Sequence, residues 1–251
     1  MDTPERLLSV ILPCQKEADN IHFILSELNK YAKSARIKET IVVDDASEDG
    51  TAKVAESFVT EFPELNVKVV TRPKPRKGYG AVVRFGMNYA TGKYCTFVGA
   101  DGVDPLQLLP TYVENLDQGA DLVQCRRYFT PEDSGKLPRN YRIYQTLFQS
   151  FQRVALGRRL EDSTYAFKAF DMKLVQRLGI TSNGFSISPE IIFKMVLSGR
   201  KIVVIPARQG FRKRGVSKFN FRKEGYGFFK VALRAGLHRL GIRWFEEIPR
   251  D

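Results

Sequence analysis

The chain reads as an α/β protein with a mostly parallel sheet flanked by helices, ending in a C-terminal amphipathic helix. Three observations predict this. Apolar runs rich in β-branched residues, at 7–12 and 41–43, have the continuity of strands buried on both faces, which marks parallel sheet. Those runs alternate with stretches whose apolar residues recur at helical spacing. Each run also stops at a polar or acidic turn, so side chains with chemistry gather at one sheet edge, where open parallel α/β sheets bind ligands. At 251 residues, 43% hydrophobic and 12% aromatic, the chain has ample material for a core, which excludes a disordered protein.

The first strand, 7–12, ends at Pro13 and carries Cys14, Gln15, Lys16 and Glu17 at its C-terminal edge. Asp19 or Asn20 is expected to cap a helix striped by Ile21, Ile24, Leu25 and Leu28, and Ile41 opens the next strand, completing a βαβ unit. That strand stops at Asp44 and Asp45. Two carboxylates in series directly after a buried strand favour a ligand site over a plain turn cap. Asp49-Gly50-Thr51 then supplies turn chemistry and an N-cap for a helix with Ala55, Phe58, Val59 and Phe62 on one face. A third strand at 67–70 leads into a basic loop, 72–80, punctuated by Pro and Gly, and then a helix with Val82, Val83, Gly86 and Ala90 on its apolar face. Gly78 and Gly80 permit close backbone approach, and Lys77 with the helix N-terminus supplies positive charge, which suits phosphate. The Gly-Lys-Ser/Thr ending of a P-loop is missing.

The fourth strand, 94–98, also ends in an acidic turn, and its Asp101 is a candidate ligand for a hard divalent cation shared with phosphate oxygens. A helix at 106–116 and a strand at 121–125 follow, and Arg126-Arg127 opens a polar segment reaching Arg142. The remaining pattern predicts a helix at 143–156, a strand at 166–170, a helix from Ser188 or Pro189 that contains Glu190, and a strand at 201–205. Basic residues at 212–218 surround a glycine and a serine, a second arrangement for gripping phosphate oxygens. We expect a main domain at 1–223 and an appendage at 224–251, with Phe229, Leu233, Leu237 and Leu240 facing a membrane surface opposite Lys230, Arg234, His238 and Arg239.

Lys plus Arg exceed Asp plus Glu by 40 to 28, a net charge of +12 that predicts anionic partners. The basic residues are spread and form no aromatic-basic module, which argues against nucleic acid. Cys14, Cys95 and Cys125 are odd in number, far apart and set in apolar runs, as reduced thiols of a cytosolic compartment would be. No window of 18 apolar residues occurs and the N-terminus lacks a signal-peptide core, so membrane contact is expected to be peripheral. His22 and His238 fall in predicted helices and read as structural.

Seven segments then stand in a telling order: Leu-Pro-Cys-Gln-Lys-Glu at 12–17, Asp-Asp-Ala-Ser-Glu-Asp-Gly-Thr at 44–51, Lys-Gly-Tyr-Gly-Ala at 77–81, Ala-Thr-Gly-Lys-Tyr at 90–94, Ala-Asp-Gly at 100–102, Asp162, and Arg-Lys-Arg-Gly-Val-Ser-Lys at 212–218. In these the chain resembles the inverting family 2 glycosyltransferases of GT-A (Rossmann-like) fold, in the dolichol-phosphate mannose synthase and polyprenyl-phosphate glycosyltransferase branch. The likeness runs from about residue 7 to residue 223. It implies that Pro13, Glu17, Asp44 and Asp45 hold the base and ribose of a GDP- or UDP-linked sugar, with Lys77, Gly78 and Gly80 against the nucleotide. It further implies that Asp101 anchors Mg2+ or Mn2+, that Arg212 and Lys218 neutralise the departing diphosphate, and that Arg127, Arg142 and Thr146 take an acceptor phosphate.

The implied reaction moves a hexose from a nucleotide-sugar to a polyprenyl or dolichyl phosphate at the cytosolic face of a membrane or beside a membrane-embedded partner. A phosphate oxygen is already anionic near neutral pH and needs no general base, so the lack of a histidine or cysteine–histidine pair is expected. Gly99-Ala100-Asp101 stands where the family carries Asp-Ala-Asp, and Val103 where a polar ligand is common, so metal is expected to bind weakly and only with the donor. Two alternatives remain open: transfer to a hydroxyl acceptor, with Glu190 as base, and a nucleotide-sugar-binding protein with a degenerate metal site.

Overall fold

A computed structural model describes residues 5–73, 78–127, 139–207 and 221–246. Its sheet has seven strands: β1 (Leu8–Cys14), β2 (Ile37–Asp44), β3 (Val67–Thr71), β4 (Tyr94–Phe97), β5 (Leu122–Arg126), β6 (Lys168–Asp171) and β7 (Ile202–Pro206), in the order β3-β2-β1-β4-β6-β5-β7. The β1, β2, β3 and β4 pairings and the β5–β7 pairing are parallel, whereas β6 runs antiparallel to both β4 and β5. The helices are α1 (Ala18–Asn29), α2 (Thr51–Ser57), α3 (Tyr79–Met87), α4 (Leu109–Asp117), α5 (Arg139–Leu156), α6 (Met172–Arg177), α7 (Ile187–Leu197) and α8 (Phe221–Arg239).

Alternation along the central strands divides the core in two. Val10, Leu12 and Val42 pack with Ile21, Leu25, Ala55 and Tyr112 on one face. Ile11, Ile41, Val43 and Phe97 pack with Val83, Ile191, Phe148 and Val231 on the other. This two-sided burial is what the unbroken apolar runs require. The chain steps from β1 outward through β2 to β3, then returns to place β4 on the opposite side of β1. The order therefore reverses between β1 and β4, and their C-terminal ends flank the crevice where such sheets receive ligands.

Several local expectations are corrected. The N-cap of α1 is Glu17 and no side chain caps the helix, so Asp19 lies inside the first turn, where its charge favours the helix dipole. The second helix stops at Ser57, which leaves Val59 exposed while Phe62 is buried beyond it, just before a short turn at Pro63–Leu65. The short helix α6 was not foreseen; Asp171 starts it by accepting a hydrogen bond from Leu174 N at 2.9 Å. In α8 the buried line is Phe228, Val231, Ala232 and Ala235, with Leu233, and Leu240 just past the helix, exposed. Small residues let α8 approach α5 closely: a Cβ at Gly236 would stand 3.4 Å from that of Ala155. Helix α8 is thus part of the core's second face.

Candidate active site

On one side of the crevice the loops after β1 and β2 are tied together. Lys16 N donates to Ser47 Oγ at 2.9 Å, Glu17 N to Thr51 Oγ1 at 3.0 Å, and Ala18 N to Asp49 Oδ2 at 3.2 Å. Burial alone would raise Asp49, but the Thr51 hydroxyl and the amides of Ala18 and Thr51 hold its carboxyl below the usual range. Lys16 and Ala46 adopt left-handed backbone at φ 56° and 52°. Such residues persist where the surroundings over-determine them, often at functional sites.

These loops place the four expected donor residues from β1 and β2 on one wall. Pro13 pairs with Val43 in the sheet, and Asp44 ends β2, its carboxylate accepting from Ser47 N at 3.2 and 3.3 Å. Asp45 Oδ1 accepts from Arg72 Nε at 2.9 Å and from Arg72 Nη2, an ion pair whose side chains are 13% and 8% exposed. Glu17 Oε2 accepts from Asn20 Nδ2 at 2.7 Å. Gly78 and Gly80 do allow close backbone approach, and the backbone they meet is the protein's own. A Cβ on Gly78 would collide with the carbonyl oxygen of Asn183, and one on Gly80 would stand 2.7 Å from that of Gly184. Ala81 N donates to Asn183 O at 3.1 Å, so the start of α3 is fixed to the segment before α7. Lys77, Arg212 and Lys218 lie outside the described residues.

On the other wall Asp101 is partly exposed after β4, with Oδ1 accepting from Val103 N at 3.3 Å. Asp104 turns back toward it: Oδ2 accepts from Gly99 N at 2.7 Å and Oδ1 from Tyr165 OH at 2.5 Å. Burial, joined by the Asp101 charge, pushes Asp104 up to about 6 against those donors. Tyr79 stacks on Phe185 at 4.7 Å and feels both carboxylates; burial, then Asp104 and Asp101, raise its phenol.

From Tyr165 the network continues to the expected acceptor arginine. The Arg127 guanidinium lies 4.2 Å from the Tyr165 ring centre, and it binds Asp162 through Nε at 2.8 Å and Nη2 at 2.7 Å. Arg127 N adds a bond to Asp162 at 2.9 Å, and Asp162 is held in left-handed backbone at φ 47°. Arg142 and Thr146 stand one turn apart on α5, both exposed, with Thr146 Oγ1 donating to Arg142 O at 3.0 Å. Gln145 and Gln149 of the same helix line a small cavity of about 50 Å³ with Arg126, Arg159 and Asp162. Gln152 anchors that loop, donating to Leu160 O at 2.9 Å and accepting from Ser163 Oγ at 2.8 Å.

Glu190, the candidate base for a hydroxyl acceptor, is enclosed by the protein. It is fully buried, accepts from Thr181 N, Thr181 Oγ1 and Ser182 N at 3.0, 3.1 and 2.7 Å, and pairs with Lys194 at 3.0 Å. Burial alone would raise it, but Lys194 and those donors hold it below the usual carboxylate range. Sequence reasoning also missed Lys168, which is fully buried and donates to Ser163 O at 3.4 Å, Ser188 O at 3.3 Å and Ser188 Oγ. A lysine inside a four-residue strand was the available signal, because a buried ammonium demands acceptors.

The donor set bears on the metal. Among the described residues no three His, Cys, Asp or Glu side chains form a cation site. A Cβ on Gly99 would stand 2.9 Å from Asp101 Oδ1 and 3.4 Å from Asp104 Oδ2, so Asp104 borders the space an aspartate at 99 would enter. The residues present fit an ion carried on a diphosphate and touched by Asp101, since Mg2+ needs only one or two carboxylates beside phosphate oxygens. They do not build a cage of their own.

Fold and site together define a GT-A, Rossmann-like α/β protein with a carboxylate-lined crevice at its switch point. The chain belongs to glycosyl transferase family 2, whose model matches residues 9–179. It is 30% identical over 249 residues to a dolichol-phosphate mannosyltransferase of Pyrococcus furiosus, covering 97% of this chain and 66% of that protein. Over 235 residues it is 25% identical to a polyprenol monophosphomannose synthase of Mycolicibacterium smegmatis, covering 91% and 87%. The chain thus spans just under two thirds of the Pyrococcus relative. Among solved structures, mannosyl-3-phosphoglycerate synthase from Rubrobacter xylanophilus superposes with TM-score 0.69 at 20% identity, covering 97% of this chain and 77% of that one. Glucosyl-3-phosphoglycerate synthase from Mycobacterium tuberculosis, in complex with Mn2+, UDP and its product, gives 0.64 at 20% identity, covering 95% and 81%.

Proposed function

We propose that the chain transfers a hexose from a GDP- or UDP-sugar to a polyprenyl or dolichyl phosphate while resting on the cytosolic face of a membrane. The observation that carries this reading is the burial of Glu190 in its ion pair, which speaks against it as the carboxylate base that a hydroxyl acceptor requires. A phosphate acceptor needs no base. The names of the two curated relatives, which cover most of this chain, support the same acceptor class.

On this reading Pro13, Glu17, Asp44, Asp45, Gly78 and Gly80 form the donor side, with Lys77 beside them. Asp101 would hold Mg2+ or Mn2+ on the diphosphate; when bound, the ion offsets the negative charge that grows on the leaving group. Arg212 and Lys218 share that task. Arg127, aimed by Asp162, receives the acceptor phosphate together with Arg142 and Thr146. Among the described residues no helix is long and apolar enough to cross a membrane, so a membrane contact by these residues would be at its surface.

The test offers radiolabelled GDP-mannose and UDP-glucose, with and without Mn2+, to polyprenyl phosphate, polyprenol and 3-phosphoglycerate in parallel. Labelled lipid phosphate is the expected product. Transfer to polyprenol or 3-phosphoglycerate with none to polyprenyl phosphate would overturn the proposal.

A further inference from the structure

Behind the donor loop lies a second cleft, of about 680 Å³, formed by residues 181–186, α8 and the chain that follows α8. Its cations are Lys230, Arg234 and Arg243, and among the described residues no Asp or Glu lines it. Lys230, Arg234 and Arg243 are exposed; among the described residues Lys230 and Arg234 form no ion pair with a carboxylate, and Arg243 pairs with Glu246 at 3.7 Å.

We infer that this cleft binds a phosphate-bearing ligand at a site separate from the β1–β4 crevice. Cations gathered along one concavity raise the local potential for an anion, and arginine forks suit phosphate oxygens. Ser182 and Ser186 belong to the same lining. Val231, Leu237, Ile242 and Trp244 give the lining an apolar part beside Thr181 and Asn183, which favours a phosphate attached to hydrocarbon, as in a lipid headgroup, over the free ion. The site also shares a wall with the donor loop, since Asn183 lines the cleft and its carbonyl receives Ala81 N from the other side.

Trp244 is the one tryptophan in the sequence, so its emission reports on this cleft directly. The full chain is titrated with inorganic phosphate, with dioctanoyl phosphatidic acid below its micelle concentration, and with dioctanoyl phosphatidylcholine. A saturable emission change with the first two and none with the third is expected. Tighter binding of phosphatidic acid assigns the site to a lipid headgroup, and equal binding assigns it to free phosphate. Arg234→Glu should raise the half-saturating concentration by about tenfold or more, in keeping with the loss of a charge-assisted hydrogen bond. Lys53→Glu, the same change in net charge on α2 across the sheet, should leave it unchanged. No saturable response to either phosphate probe, or equal weakening by the two substitutions, would overturn the inference.

Discussion

Gly99 shows how one absent side chain alters the chemistry of a strand end. The sequence displayed the missing carboxylate, and Asp104 was visible only as an acid in a turn; that it folds back onto Gly99 N and Tyr165 OH depends on β6 bringing Tyr165 alongside, which no local pattern encodes. Gly99→Asp alone is therefore expected to leave Mn2+ affinity for the UDP complex unchanged, because its Cβ would meet Asp101 at 2.9 Å and crowd a third carboxylate against Asp104. Gly99→Asp with Asp104→Asn should tighten Mn2+ binding, as isothermal titration would register; tightening by the single change would refute this account. Lys168 makes the other residue-level prediction. Burial lowers its ammonium to about 7, from an ordinary value of 10.5. Between those limits the unfolded chain holds more protons than the folded one, so stability rises as pH increases from about 7 toward 10.5, and no such slope exists below 7. Thermal melts from pH 7 to pH 10 should show a rise in wild type that Lys168→Met flattens.

At the scale of elements, the first four strands and their helices were legible because two-sided burial and helical stripes leave strong periodic marks. The rest was less so. Nothing in Lys-Ala-Phe-Asp at 168–171 tells an antiparallel strand from a parallel one, since direction is set by a connection that begins far upstream. Helix α8 was recognised, but of its two apolar lines the one with larger residues was chosen for the interface, while the core took the line with Ala232 and Ala235 that permits close packing. Glu190 was read from type and position as a base, and only tertiary structure reveals Lys194 and the amides of Thr181 and Ser182 around it. Removing one partner of a buried pair typically costs about 3–5 kcal/mol. Glu190→Ala should accordingly lower the urea midpoint strongly and weaken nucleotide binding, because the 181–183 segment that supports Gly78 and Gly80 loses its anchor. Adding Lys194→Met should recover much of the stability; a double variant as unstable as the single one would contradict the pairing argument.

For the molecule as a whole, the question is how a protein of +12 charge would meet a lipid substrate. Helices α5 and α8 pack through Phe148, Phe228 and Phe229, with ring centres 5.6 to 5.7 Å apart, and each leaves an apolar line outside. Ile143, Leu147 and Val154 of α5 are 53%, 59% and 79% exposed, and Tyr226 and Leu233 of α8 with Leu240 just beyond its end, spaced seven residues apart, are 74%, 52% and 80% exposed. Exposed apolar lines on adjoining helices, flanked by Arg142, Arg153 and Lys230, have the character of a membrane-contacting face. Deleting 224–251 would be a poor test, because it strips Phe228, Val231, Ala232 and Ala235 from the core. Replacing Leu147, Leu233 and Leu240 with Ser keeps that core. If each contributes about 1 kcal/mol on partial burial in the interface, the triple variant should bind vesicles containing phosphatidylserine at least tenfold more weakly. Raising salt should weaken wild type further by screening the basic flank. The Trp244 response to inorganic phosphate should survive the three substitutions, which lie outside that cleft. Flotation of the folded triple variant equal to wild type would show that this face does not carry the protein to the membrane.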